Sequence, residues 1–269
     1  WVNGSGLVHN TIHSNHASFY EEIHRAINKE PADAFDPEVL GIASALGIRK
    51  GQPFSLDGPK REKFEEAAAT GSAYARAVAF APRNPAAYLY GEENSKWFTL
   101  FPEWDYRFLV DEGAGGTDID SRLAFFYVAT VNTPAMVWRI PGVGSQYAII
   151  ARDSNGEWFN GDQTYTLRIP AGVPAKNFWS FVIYDPQTRS MLQTPDQKFP
   201  SVNSMREGLH TEPDGSVLLT IAPQRPLEHE GNWIQSREGK GWFAILRLYG
   251  PEEAWFDKTW RPGEIELTP

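Results

Sequence analysis

Near Ala135 the spacing of apolar residues in this 269-residue chain changes from helical to alternating, and that change constrains the fold more than any single motif. Residues three and four apart share a helix face, whereas a strand sends successive side chains to opposite faces. A segment written in one period does not settle into the other. The chain therefore reads as helices first and strands afterwards, an α+β order.

Beyond the change, alternating segments run at Met136–Ile140, Gln146–Arg152, Thr164–Ile169, Phe178–Tyr184, Ser190–Gln193, Val217–Ile221 and Trp242–Tyr249. Pro141 with Gly142, the run Asp153–Gly156, and Asp214 with Gly215 separate them with turn-forming residues. About seven short strands punctuated in this way predict an all-β antiparallel sandwich, jelly-roll-like, over residues 135–269. Ten tryptophans, most of them after Glu93, supply the rings that such a core buries, with a few left to line a groove. The tail from Pro251, carrying Trp255, Trp260 and Pro262, reads as an extended segment laid against the sandwich.

Residues 1–134 read as a mainly helical region with one long loop. Ser18 followed by Glu21 has the spacing of a capping box, and Phe19, Ile23, Ala26 and Ile27 share a face until Pro31 stops the helix. Asp36 and Pro37 form an N-cap and first-turn proline, after which Val39, Leu40, Ile42, Ala43 and Leu46 lead to Gly47 as the stop. An Ala-rich helix spans Pro59 to Phe80, with Gly71 weakening its middle and Pro82 and Pro85 closing it. Residues 84–116 lack a sustained period and read as a connection with one short strand near Tyr106–Val110, a place for a loop-borne site. Thr117 or Asp118 then caps a helix through Ser121, Leu123, Phe126, Tyr127 and Thr130, ending before Pro134.

A net charge of -9 and a pI of 5.2 oppose a nucleic-acid partner, because neutralising phosphates needs clustered Lys and Arg. The densest basic run, Lys60, Arg61 and Lys63, is interleaved with Glu62, Glu65 and Glu66 and reads as a solvated helix face. The chain has no Cys, so disulfides, thiolate metal sites and cysteine nucleophiles are excluded. No window nears the roughly 18 apolar residues of a transmembrane segment, and no basic start with an apolar core marks a signal peptide. The first residue is Trp1 rather than Met, so a processed or truncated polypeptide is expected, with a targeting segment or a preceding domain outside it.

Four groups of residues have chemical potential. His9, His13 and His16 would converge on a metal only on a continuous helix, which the capping box at Ser18 opposes; no metal or cofactor is therefore expected. At the end of the strand from Phe178, Tyr184, Asp185 and Arg189 would grip a polar ligand, or Asp185 would close a turn and pair with Arg189. Asn232 with Trp233, and Arg247 with Tyr249, form the third group. Arg247 lies between Leu246 and Leu248 and so faces away from them, where its planar fork can hold a carboxylate or phosphate or pair with an internal acid. Fourth, Asp105, Asp111, Glu112, Asp118 and Asp120 concentrate carboxylates of the kind a glycoside hydrolase pairs across a cleft. No nucleophile elbow, phosphate-binding loop, dinucleotide fingerprint or zinc-protease helix is present.

The stretch NFWSFVIYDPQTRSMLQT at 177–194, SVNSM at 201–205, DGS at 214–216, GNWIQ at 231–235 and RLYGPEEAWFDKTWRPGEIE at 247–266 resembles a bacterial family that pairs domains of unknown function 1254 and 1214. GIASALGIRKGQPF at 41–54 and TPAMVWRIPGVGSQY at 133–147 extend the resemblance over nearly the whole chain. It implies an N-terminal β domain, a helical middle and a C-terminal jelly roll, with this chain starting inside the helical middle and associating with the absent domain. It also implies a periplasmic or secreted location and leaves homo-oligomers open. It supplies no catalytic residues.

The leading functional expectation is a hydrolase of a polar or sugar-like substrate, working in a cleft between the helical region and the sandwich. Arg122, Tyr147, Trp179, Tyr184, Arg189, Asn232 and Arg247 are the expected ligand-binding lining, with arginines for anionic groups and aromatics for stacking. The alternatives are a non-catalytic module for a carbohydrate or other small molecule, and a structural oligomer whose Trp-rich tail wraps a neighbour.

Overall fold

The computed structural model describes residues 4–6 and 12–268. Helices come first and antiparallel-rich sheets follow, so the α+β order read from the spacing of apolar residues holds. The chain divides into two compact units, Trp1–Ala75 and Arg76–Pro269.

In the first unit, α1 (Ser18–Lys29) presents Tyr20, Ile23 and Ile27 at helical spacing to a small core with Ala43 and Ile48. Its start differs from the expected capping box. Ser18 is the first helical residue and bonds Ser14, while the amide of Ala17, the N-cap residue, donates to Glu65 at 3.0 Å. A carboxylate distant in sequence takes the place that Glu21 was expected to fill. At the other end the ammonium of Lys50 donates to the carbonyls of Ile27, Asn28 and Glu30, a cation set against the negative helix terminus. Helix α2 (Pro37–Ala45) starts as expected, with the Asp36 carboxylate accepting from the Glu38 amide at 2.8 Å. The Ala-rich α3 (Gly58–Phe80) follows, its residues from Arg76 onward belonging to the second unit.

The second unit holds two four-stranded sheets. One has the order β1 (Ser145–Ile150), β7 (Phe243–Pro251), β3 (Ala175–Tyr184), β4 (Ser201–Asn203); the other runs β6 (Trp233–Gln235), β5 (Val217–Ala222), β2 (Tyr165–Ile169), β8 (Ile265–Leu267). Alternation sends Ala148, Ile150, Phe181, Ile183, Leu246 and Leu248 of the first sheet into one core cluster. Leu167, Ile169, Leu219, Ile221 and Ile265 enter it from the second. Every pairing is antiparallel except β5 with β6, which is parallel and corrects the all-antiparallel expectation.

Three expected strands are absent. Met136–Ile140 lies partly in a 3₁₀ turn (Pro134–Val137), with Met136, Trp138 and Ile140 exposed. Its alternation is real but no strand pairs with it. Ser190–Gln193 contributes a single bridge, Tyr184 to Met191. The expected strand at Tyr106–Val110 is replaced by a tight loop in which Leu109 bridges Thr117 and Phe108 has φ 60°. The tail forms a short helix, α5 (Glu253–Phe256), and then strand β8; Trp255 and Trp260 are buried in their own unit's core, so neither is free to wrap a neighbour. No helix among the described residues is long and apolar enough to cross a membrane.

Close backbone approach forbids a side chain at Gly161. A Cβ on Gly161 would sit 2.0 Å from the Arg237 carbonyl oxygen and 2.7 Å from that of Lys240, whereas one on Gly41, in α2, meets nothing within 4 Å. Gly161→Ala is expected to destabilise the second unit by at least about 2 kcal/mol, the cost of overpacking against atoms that cannot move. Gly41→Ala is expected to raise stability by about 0.5–1 kcal/mol. Chemical denaturation of the two variants checks both signs.

Candidate functional site

The outer face of the first sheet carries the polar residues that alternation excludes from the core. Tyr147 on β1 stands directly across from Arg247 on β7, and Arg247 is also in register with Ser180 on β3. The Arg247 guanidinium lies 5.7 Å from the ring centres of both Tyr147 and Tyr184, and its Nη2 donates to the Tyr184 hydroxyl at 2.5 Å. Its Nε is buried and has no hydrogen-bond partner.

Helix α4 (Ile119–Ala129) runs beside this face. Of the two caps the sequence left open, Thr117 and Asp118, the N-cap is Asp118: the carboxylate accepts from the Ser121 amide at 2.9 Å, the Ser121 hydroxyl at 2.7 Å and the Asn84 side chain at 2.9 Å. Phe125 packs on Phe101 with ring centres 4.5 Å apart, and Phe101 stacks on Phe108. The helix is clamped at its far end. The Arg189 guanidinium lies 4.3 Å over the Tyr127 ring and donates through Nε to the Tyr127 carbonyl and through Nη1 to that of Gln187, while the Tyr127 hydroxyl donates to the Pro186 carbonyl.

Between these parts lies a cavity of about 320 Å³, within the size range of small-molecule sites. Phe125, Val128 and Ala129 of α4 line one side, spaced three and four residues apart as one helix face requires. Tyr147, Ile149, Ile245 and Arg247 come from the sheet, Phe101 and Trp104 from the preceding loop, and Arg189 from the turn after β3. Trp104 and Arg189 both have left-handed backbone, φ 55° and 59°. Such conformations cost non-glycine residues about 1–3 kcal/mol each and persist only where the surroundings hold them.

Among the described residues no Asp, Glu or His lines the cavity, and neither Arg189 nor Arg247 has a carboxylate partner. Burial pushes the Tyr184 phenol up from its ordinary value, and the neighbouring Arg247 only partly opposes this, so Tyr184 stays neutral. Burial works against the charge on Arg247, but the oxygens of Tyr184, Tyr249 and Tyr147 outweigh it and the guanidinium stays cationic.

Of the seven expected ligand-binding residues, the fold brings four together here: Tyr147, Tyr184, Arg189 and Arg247. The other three stand elsewhere. Arg122 is on the exposed side of α4. Trp179 points into the sandwich core, the same face as Phe181 and Ile183. Asn232 is 1% exposed, and its amide is spent on the His210 backbone and the Leu218 carbonyl.

Other candidates resolve as structure. Asp185 accepts the amides of Gln187 and Thr188 and pairs with Lys240, so it closes the turn, and the expected partner Arg189 looks instead to carbonyls. Asp105 is paired with Arg107 and Asp120 with Arg83. His13 lies 3.1 Å from Glu22 and His16 3.8 Å from Glu65, while His9 lies outside the described residues. No group of three metal donors occurs among the described residues. The cavity also uses Trp104, Phe125 and Gln146, which the sequence reading did not select; the Phe125, Val128, Ala129 spacing was the signal for the helix side.

Residues 144–253 match the family described as "Protein of unknown function (DUF1214)", a stretch that contains Tyr147, Tyr184, Arg189 and Arg247. No curated protein matches the chain. Among solved structures, the chain is similar to the VPA0106 protein from Vibrio parahaemolyticus at 18% identity and a TM-score of 0.45, over 99% of this chain and 60% of that one. It is also similar to an uncharacterised protein from Burkholderia cenocepacia at 14% identity and a TM-score of 0.35, over 94% of this chain and 50% of that one. The chain thus spans 60% and 50% of the lengths of these two proteins.

The Asp118 cap ties the helix wall to pH. Burial pushes its carboxyl up, but the donors on Ser121 and Asn84 outweigh this and hold it below the ordinary carboxylate value; Asp185 is lowered in the same way by its turn amides and Lys240. A depressed folded value contributes stability that is complete above the unfolded value of about 3.9 and is lost as pH falls through the folded one. Asp118→Ala is expected to cost about 0.5–2 kcal/mol at neutral pH. Urea midpoints measured between pH 6 and pH 2 should fall less steeply for Asp118→Ala than for the wild type.

Proposed function

We propose that the second unit is a non-catalytic binding module that holds a small organic molecule between α4 and the outer face of the first sheet. The observation that carries this reading is the composition of the cavity: a largely apolar wall with two arginines and two tyrosines, and no carboxylate or imidazole among its described residues. A wall of that kind can orient a ligand, since few placed polar groups in an apolar cleft are what small-molecule sites use. Glycoside hydrolysis needs an acid and a second carboxylate facing each other. Ester or amide hydrolysis needs a nucleophile with a base beside it. The hydroxyl of Thr99 accepts from the Phe101 amide and has no histidine or acid in the wall to activate it.

The left-handed backbone at Trp104 and Arg189 also favours a binding role. Strain held in place by the Arg189 clamp on Tyr127 keeps the wall formed before a ligand arrives, which lowers the ordering cost of association.

Melting curves of the full chain with a panel of small organic acids, amides and glycosides test this. A binder is expected to raise stability by about 2.7 kcal/mol at one hundred times its Kd. Ala129→Trp, at the exposed end of α4, fills the cavity mouth and is expected to abolish the shift while the unliganded protein melts near the wild-type temperature. Nitrophenyl esters and glycosides should show no turnover above buffer. Turnover that Ala129→Trp removes would make the protein an enzyme, and no ligand shift from any compound would leave the cavity without this role.

A further inference from the structure

We infer that the molecule this cavity takes is a monocarboxylate with an apolar body, its carboxylate set against Arg247 and Tyr184 and its body against the rings of Phe101, Trp104 and Phe125. This rests on the binding reading above and names its ligand class.

Charge comes first. Among the described residues, the wall's only charged side chains are Arg189 and Arg247, and neither has a carboxylate beside it. Arg247 is surrounded by phenols instead, and a neutral phenol accepts a hydrogen bond without cancelling the charge. A half-buried cation of this kind gains from an anion brought to it, and charge-assisted hydrogen bonds are the stronger ones.

Donor supply narrows the anion. Arg189 has spent Nε and Nη1 on the carbonyls of Tyr127 and Gln187, so it is largely a structural clamp. Arg247 gives one bond to Tyr184 and keeps an orphaned buried Nε, a donor that only a shift of the side chain toward an acceptor would satisfy. Tyr184 accepts from Arg247, so its own O–H is left to donate into the cavity. One guanidinium and one phenol can serve the two oxygens of a carboxylate. They match the two oxygens of a carboxylate better than the three of a phosphate dianion.

The rest of the wall excludes a sugar. Val128, Ile149 and Ile245 join the three aromatic rings, and most of the hydroxyls of a sugar placed there would lose their water without gaining partners. Gln146 is 4% exposed, and its amide nitrogen is already bound to the Trp138 carbonyl.

The experiment compares benzoate and octanoate with benzamide and octanamide, inorganic phosphate and methyl glucoside, by calorimetry on the full chain at low salt. The acids are expected to bind at least about tenfold more tightly than the matching amides. That ratio should shrink to near one in Arg247→Gln, and in Arg247→Lys it should fall but persist, because charge remains while the planar fork is lost. Tyr184→Phe is expected to weaken acids more than amides. Circular dichroism confirms that each variant is folded, and the acid-to-amide ratio of the wild type alone decides the matter if the Arg247 variants do not fold. Equal binding of acids and amides that Ala129→Trp blocks would overturn the carboxylate inference and leave the binding module standing, as would tighter binding of phosphate or glucoside. Failure of every compound to bind would overturn both.

Discussion

Burial of the inner faces of the two sheets governs where everything else in the second unit can go. Leu246 and Leu248 are fully buried in the shared core, and because a strand alternates, Arg247 between them has no choice but the outer face. The same rule puts Tyr147 outward beside the buried Ala148. The antiparallel register then sets Tyr147 opposite Arg247. A slip of one residue in β7 would send Leu246 and Leu248 to the outer face and a guanidinium into the core, so the apolar core enforces the register that assembles the polar group.

The outer face cannot be closed in the way the inner one is. A guanidinium buried without an anion costs far more than the apolar contacts around it return. Cover therefore comes from α4 and the loop through Phe101 and Trp104, which pack against one another through Phe101, Phe108 and Phe125 while leaving space over Arg247. The loop's Phe98 meanwhile bonds both ways to Ile149, which covers part of the exposed edge of β1. The cavity is thus a consequence of one cationic side chain on a face that the rest of the fold needs to cover.

Those parts of the structure that follow from spacing were readable in the sequence. The change of period near Ala135, the Asp36 and Asp118 caps and five of the strands needed only local residues. What was not readable depended on distant partners. Glu65 took over the start of α1 from Glu21. The strands β4, β6 and β8 are three residues each, too short to show a period. Met136–Ile140 alternates like a strand but finds no neighbour to pair with. The same division runs through the site. Arg247, Tyr147 and Tyr184 were legible because a strand's period reveals its faces, but Trp179 shows that period alone does not say which face is the core. Asn232 was misread because its partners, His210 and Leu218, are brought in by the fold.

The chain as a whole carries a charge of -9, yet its cavity is cationic. At physiological salt the field of a charge is screened beyond about 8 Å, so the negative surface does little to an anion already at the mouth, although it slows the approach of anions from solution. Recognition must then come from contacts made inside. Tyr184 contributes because burial keeps it a neutral phenol: were it ionised, it would supply the counter-charge that Arg247 otherwise lacks. The pair keeps a net positive charge only while that proton stays on, and the apolar rings around it are what keep it there.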